Sequence, residues 1–301
     1  MVDYFIELAR TIGVITDPYI SPLENVLKTT LNSTFPQVYQ NLEEILENNK
    51  SPFVDRLPLM NPFHVLIITI GYLLTISIGK GIMSDRNKVS VKWLSIIHNF
   101  NLVTLSAYMC FTVSSEAWRR GYSLFANADD RSEEGFQMAK YIWLFYFSKI
   151  FEFMDTFIMV LKKNNHQISF LHVYHHFSIF VIWWWVTYVA PTGEAYFSAA
   201  LNSAVHVVMY GYYLSTVLSV PIRFIKKYIT LFQMTQFSLN MIQASYDIFY
   251  FKYLYPTSIS YPFGPTIILW FYMWTMLGLF ADFFKKDRRR ERKHVTEKKS
   301  Q

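Results

Sequence analysis

Apolar residues in this chain come in long blocks, and a second, polar pattern is written inside the blocks. About 20 predominantly apolar residues are needed to cross a bilayer core of roughly 30 Å as a helix. Blocks of that length predict seven membrane-spanning helices, near residues 62–79, 94–113, 141–161, 168–189, 195–218, 228–251 and 263–284. The expected fold class is an all-α integral membrane protein. Residues 1–60 form a leader ahead of the first span, and Glu43, Glu44 and Glu47 lie among Leu42, Ile45 and Leu46 as on a surface helix. Residues 61–284 make the membrane domain and residues 285–301 a polar tail. The chain has no internal repeat of the kind that builds solenoids.

The polar pattern has helical spacing. In FLHVYHHFSIF, His172, His175 and His176 stand at i, i+3 and i+4, which predicts one shared face turned toward a bundle interior or a water-filled cavity. In KIFEFMDT, Lys149, Glu152 and Asp155 climb one side of a helix, an arrangement that suits either a charge network fixing neighbouring helices or direct catalysis. NSAVHVVMY gives Asn202, His206 and Tyr210, and QMTQFSLNMIQASYD gives Gln233, Gln236, Asn240, Gln243 and Asp247 over four turns. His98, Asn99 and Asn101 add to the second span, although Asn99 and Asn101 cannot face the same way on a straight helix. His64, His166 and His294 lie at span edges or in the tail and receive no role. Polar side chains are costly inside a membrane and mark sites or pathways, so four spans turning polar faces to one interior predict a functional site.

Composition supports the membrane reading: 52% of residues are hydrophobic, 19% aromatic and only 17% charged. The net charge of +6 does not point to nucleic acid, because the tail from Lys285 carries nine Lys/Arg against three acids and the rest of the chain is neutral. With the tail cytosolic, 18 Lys/Arg fall on the cytosolic side and nine opposite, so the N-terminus is expected in the lumen and the C-terminus in the cytosol. The sequons at Asn32 and Asn49 are then lumenal. Asp3 and Glu7 interrupt the N-terminal segment, which does not read as a cleavable signal. Cys110 is the single cysteine and excludes an intrachain disulfide.

Depth follows from the spans. At 1.5 Å per residue, His175 lies roughly 10 Å below the cytosolic boundary, with Gln233 and Gln236 at similar depth. The lumenal half of the interior, with Trp183, Trp184, Trp185 and Phe197, is expected to be apolar. A polar cytosolic mouth above a greasy blind end suits an acyl-coenzyme A. The chain has no G-x-S-x-G elbow and no phosphate-cradling glycine loop. Cys110 has only Ser106 and Ser114 near it on its own helix, a poor setting for a nucleophilic thiol. His-x-x-His-His resembles one box of membrane di-iron desaturases and hydroxylases, but such centres need about eight histidines and this chain has four or five in its spans. What remains is a histidine acting as base or nucleophile, its pKa tuned by its neighbours, with a ligand-binding seven-span receptor or transporter and a histidine-box di-iron desaturase or hydroxylase as the alternatives.

K-x-x-E-x-x-D-T from Lys149 to Thr156, H-x-x-H-H from His172 to His176, N-x-x-x-H-x-x-M-Y from Asn202 to Tyr210 and Q-x-x-Q from Gln233 to Gln236 occur in this order. Together they resemble the ELO family of very-long-chain fatty-acid elongases, from about Asn61 to Phe284. LPLMNPFHV, NNHQISFLHVYHH and APTGEAYFSAALNS are similar to fungal and moss polyunsaturated elongases in particular. The resemblance implies seven spans, the last six as an inverted barrel around a closed acyl-CoA tunnel. It implies condensation of acyl-CoA with malonyl-CoA to 3-oxoacyl-CoA, carbon dioxide and coenzyme A, with no metal or other cofactor. His175 then takes the acyl group as an acyl-imidazole, His172 and His176 orient it or move protons, and His206 handles malonyl-CoA or its enolate. Lys149, Glu152, Asp155, Asn202, Tyr210, Gln233 and Gln236 support binding. The implied setting is the endoplasmic reticulum membrane, among the ketoreductase, dehydratase and enoyl reductase of the elongation cycle, with self-association as a further expected contact. Lys298 and Lys299, third and fourth from the end, resemble a dilysine retrieval signal.

Overall fold

The computed structural model of the protein describes residues 1–250 and 261–299. Among them every regular element is helical, and nine α-helices carry the architecture. They are α1 (Val2–Thr34), α2 (Pro36–Asn49), α3 (Pro62–Ser84), α4 (Lys92–Arg119), α5 (Phe136–Leu161), α6 (Phe170–Val189), α7 (Ala195–Val217), α8 (Lys226–Phe249) and α9 (Phe263–Lys299). Helices α3 to α9 correspond one to one with the seven expected spans; residue 251 of the sixth lies outside the described residues. So do Ser300 and Gln301, from which the dilysine position is counted.

Local chemistry places the helix starts. Asn61 caps α3 by accepting from the Phe63 amide at 2.9 Å, with Pro62 in the first turn where a missing N–H costs nothing. Ser169 does the same for α6, accepting from the His172 amide at 3.3 Å. The far end of α5 is tied down by its lysines. Lys162 reaches Ser95 on α4 at 3.0 Å, and Lys163 donates to the Ser84 and Arg86 carbonyls at the end of α3.

Three helices are long and apolar enough to cross a membrane by length and composition: Pro62–Ser84, Lys92–Arg119 and Phe263–Arg289. The other four expected spans fall short of that measure for a physical reason. Lys149, Glu152 and Asp155 interrupt α5, the histidines and tryptophans dilute α6, and amides and hydroxyls line α7 and α8. Helix pairings explain how such segments bury their polar faces. Helix α4 packs on α5, α5 on α6, α6 on α9, α9 on α8, α8 on α7 and α7 back on α4, while α3 lies outside against α5 and α6.

The core is aromatic. Tyr146 stacks on Phe180 at 5.2 Å, and Phe145 meets Trp183 edge-on at 4.4 Å. Polar tips of buried aromatics find backbone acceptors in the connection before α3: Trp143 donates to Pro58, Tyr146 to Leu59 and Trp184 to Met60. The leader departs from a purely surface helix. Val2, Ile6 and Ala9 are buried in the main core, and Phe5 packs on Phe147 and Phe151.

The α6–α7 turn depends on Gly193, whose φ is +54° and whose place for a Cβ lies 2.5 Å from the Ala128 carbonyl oxygen. Both strain and clash oppose any side chain there. Gly193→Ala is expected to lower stability by about 2 kcal/mol or more; a thermal midpoint equal to the parent protein's in the same detergent refutes this account of the turn.

Candidate active site

The register set by Ser169 decides where the box histidines go. Successive residues on an α-helix turn by about 100°, so His175 and His176 diverge although each lies within one turn of His172. His172 and His176 lie together, ring centroids 4.3 Å apart, on the side of α5 and α3. His172 Nε2 is 2.7 Å from Thr156 Oγ1, which is 3.0 Å from the Tyr72 hydroxyl. His175 faces α9, with Nδ1 3.2 Å from the Tyr272 hydroxyl, itself 3.0 Å from Ser178 Oγ. The single shared face expected for the three is thus split into a pair, His172 and His176, of which His176 is buried, and one outlier.

Helix α5 distributes its charges in pairs. Lys149 is 1% exposed, and its Nζ donates to Glu152 Oε1 at 2.7 Å and to Asn202 Oδ1 at 3.4 Å, 4.0 Å above the Phe145 ring. His206 Nδ1 lies 3.2 Å from the same Glu152 oxygen. One turn on, Asp155 receives His98 Nε2 at 2.9 Å and the Tyr210 hydroxyl at 2.8 Å. Two carboxylates therefore join α4, α5 and α7. His98 enters through this pair. Asn99 is buried and Asn101 exposed, as their spacing required.

A cavity runs from His175 between two unlike walls. Helices α6 and α9 supply Ile179, Ile182, Trp183, Val186, Leu269 and Met273; helices α7 and α8 supply Ser198, Asn202, Gln236, Asn240 and Gln243. The Asn240 Oδ1 atom is buried without a hydrogen-bond partner. The far end is not the apolar pocket expected. Glu194, Gln243 and Asp247 gather there, with Gln243 Nε2 2.6 Å from Glu194 Oε2 and Asn127 on the other Glu194 oxygen. Of the aromatics expected in that half, only Trp183 lines the cavity. Neighbouring Trp184 points away to Met60, because consecutive helical residues cannot share a face. Gln233 also leaves the lining and bonds Met209 Sδ at 3.4 Å on α7.

Comparison with known proteins bears on this arrangement. The sequence profile of the ELO: GNS1/SUR4 family matches residues 57–296, from just before α3 into the last turn of α9. The chain belongs to the ELO family. Among its relatives, the fatty acid elongase 6 of Leishmania major is 38% identical over 272 residues, covering 88% of this chain and 70% of that protein. The very long chain fatty acid elongase 5 of Tachysurus fulvidraco is 40% identical over 229 residues, covering 75% of this chain and 76% of that one. Its human counterpart is 37% identical over 245 residues, with 79% and 80% covered.

Within this ELO chain, the four sequence motifs meet in the interior. Lys149, Glu152, Asn202 and His206 form one cluster; Asp155, Tyr210 and His98 form a second; His172, His176 and Thr156 form a third. His175, Asn202 and Gln236 line the cavity, and Asn202 alone links it directly to Lys149. No group of three or more His, Cys, Asp or Glu among the described residues is arranged to hold a metal ion. The box histidines contact hydroxyls and one another instead. Residues missed by sequence reasoning are Tyr72, Ser178 and Tyr272. One phenol among 21 tyrosines and one serine in an apolar run carry no distinguishing signal.

Proposed function

We propose that this ELO protein is the condensing enzyme of fatty-acid elongation, joining an acyl-CoA to malonyl-CoA through an acyl-imidazole on His175. Fatty-acid elongation itself follows from the family and from the relatives. The observation that favours the histidine route is that His175, alone among the box histidines, lines the cavity. In the first half-reaction, His175 Nε2 attacks the thioester carbon, the C–N bond forms, the C–S bond breaks and coenzyme A leaves as the thiolate from an acyl-imidazolium. In the second, malonyl-CoA loses carbon dioxide and its enolate carbon displaces the imidazole to give 3-oxoacyl-CoA. Amides of Asn202 and Gln236, on the wall near His175, suit the developing oxyanions. Glu152 accepts from His206 Nδ1, which leaves Nε2 of that ring available to the malonyl group. The apolar wall from α6 and α9 limits access of water that would hydrolyse the intermediate or protonate the enolate.

The membrane setting belongs to the same reading. Helices α3 to α9 are seven spans, and the circuit of pairings from α4 through α9 is the inverted barrel around the tunnel. The 1–60 leader lies in the lumen and the 285–301 tail in the cytosol of endoplasmic reticulum membranes, beside the later enzymes of the cycle. Long polyunsaturated chains suit a wall of Gln236 and Asn240, whose amides can direct N–H groups at double bonds.

Two measurements test this. Microsomes containing the protein are expected to incorporate labelled malonyl-CoA into longer acyl chains only when supplied with acyl-CoA, with polyunsaturated primers leading a panel. No incorporation at any chain length points to a ligand-binding protein instead. Protease added to sealed microsomes is expected to remove a tag after Gln301 and to spare one before Met1; the reverse result inverts the topology.

A further inference from the structure

The hydroxyls beside His175 define a direction for its protons. We infer that Tyr272, backed by Ser178, is a positioning residue that fixes the His175 tautomer with the proton on Nδ1 and the lone pair on Nε2. This rests on the reading of His175 as the acyl acceptor, and goes beyond it by assigning what makes that imidazole nucleophilic.

Three successive contacts fix where each proton lies. Ser178 Oγ has one proton, and it is directed at the Tyr174 carbonyl at 2.5 Å, with the His175 carbonyl at 3.3 Å as a second acceptor. A carbonyl oxygen only accepts, so the serine proton is committed to its own helix. Toward Tyr272, 3.0 Å away, Ser178 Oγ can then only accept. The phenol has one proton as well, and giving it to Ser178 leaves its oxygen as an acceptor for His175 Nδ1 at 3.2 Å. The imidazole therefore carries its proton on Nδ1, and Nε2 is free on a ring that lines the cavity.

Tyr272 is held for this task. Its side chain is 5% exposed, on the face of α9 that packs against α6, so the hydroxyl has little water to turn to. Attack by Nε2 puts positive charge on the ring, and the Nδ1–H to phenol bond strengthens as it develops. The oxygen partner holds the ring at the cavity wall without transferring a proton, and the half-reaction balances without one: the C–N bond forms, the C–S bond breaks, and the products are an acyl-imidazolium that keeps its Nδ1–H and the departing coenzyme A thiolate.

The test uses full-length protein in detergent, incubated with an acyl-CoA without malonyl-CoA, and follows the acyl adduct by intact mass. Tyr272→Phe keeps the ring and removes the acceptor. Ser178→Ala keeps Tyr272 but frees its proton to turn toward Nδ1, which puts the histidine proton on Nε2. Each is expected to slow adduct formation by about 10-fold or more, the usual effect of losing a partner behind a ligating or nucleophilic histidine. The KM for malonyl-CoA in the complete reaction should stay unchanged, which loosened packing would not guarantee. Adduct formation within twofold of the parent rate in both variants, alongside no adduct in His175→Ala, overturns the relay and leaves the histidine route standing. A slow Tyr272→Phe with a normal Ser178→Ala overturns the tautomer assignment. An adduct that persists in His175→Ala overturns the underlying reading.

Discussion

Replacing His175 by alanine is expected to bring malonyl-CoA incorporation down by at least about 1,000-fold, with the protein still folded. The acyl acceptor is gone, and no other ring on α6 can take its place. His172 is engaged with Thr156, and His176 is buried behind it at 4.3 Å. The structural cost is modest, because His175 is only half-buried and its single side-chain partner, Tyr272, keeps Ser178. Elution as a monodisperse species, with a thermal midpoint near the parent's, separates lost chemistry from lost fold. His172→Ala should behave differently: activity falls about 10- to 100-fold while the acyl adduct still forms, because that ring acts through its neighbours. Retention of a tenth of the parent activity in His175→Ala is incompatible with the acyl-imidazole.

The contrast between these histidines shows what the sequence makes legible. The apolar blocks give seven helices with ends close to the observed ones except in α9, which continues through the basic segment to Lys299, since block length and Lys/Arg flanks are one-dimensional signals. The spacing of Lys149, Glu152, Asp155, His206 and Tyr210 likewise predicts polar faces that do meet. Partnership across helices is another matter. An i, i+3, i+4 pattern states that three rings lie within about one turn, but the 100° step from His175 to His176 sends them to different neighbours. The polar far end of the cavity was written in the α8 stripe, whose Gln243 and Asp247 lie two to three turns beyond Gln236. Its other half, Glu194, sits just before α7 and acquires meaning only when α7 packs on α8. Tyr272 is invisible for the same reason: its role depends on α9 meeting α6, a contact between elements about a hundred residues apart.

Glu152→Gln is expected to destabilise the protein by about 3–5 kcal/mol, the cost of leaving a buried ion without its partner. Lys149 has no route to water, with 1% of its surface exposed, and its remaining oxygen contact is Asn202 at 3.4 Å. The Phe145 ring beneath the ammonium offers too little to replace a carboxylate at 2.7 Å. Removing both charges reverses the logic: in the Lys149→Met, Glu152→Gln double variant no buried ion is left over, and most of the lost stability should return. Activity should not return with it. His206 Nδ1 has lost its carboxylate acceptor in both variants, so the ring is no longer held by charge toward the malonyl group. Thermal midpoints in one detergent, set against malonyl-CoA turnover, read the two effects apart. A drop on the order of 10 °C for Glu152→Gln, largely recovered in the double variant without recovery of turnover, is the expected pattern. If turnover recovers together with the midpoint, Glu152 serves only to neutralise Lys149, and the positioning of His206 must come from elsewhere on α7.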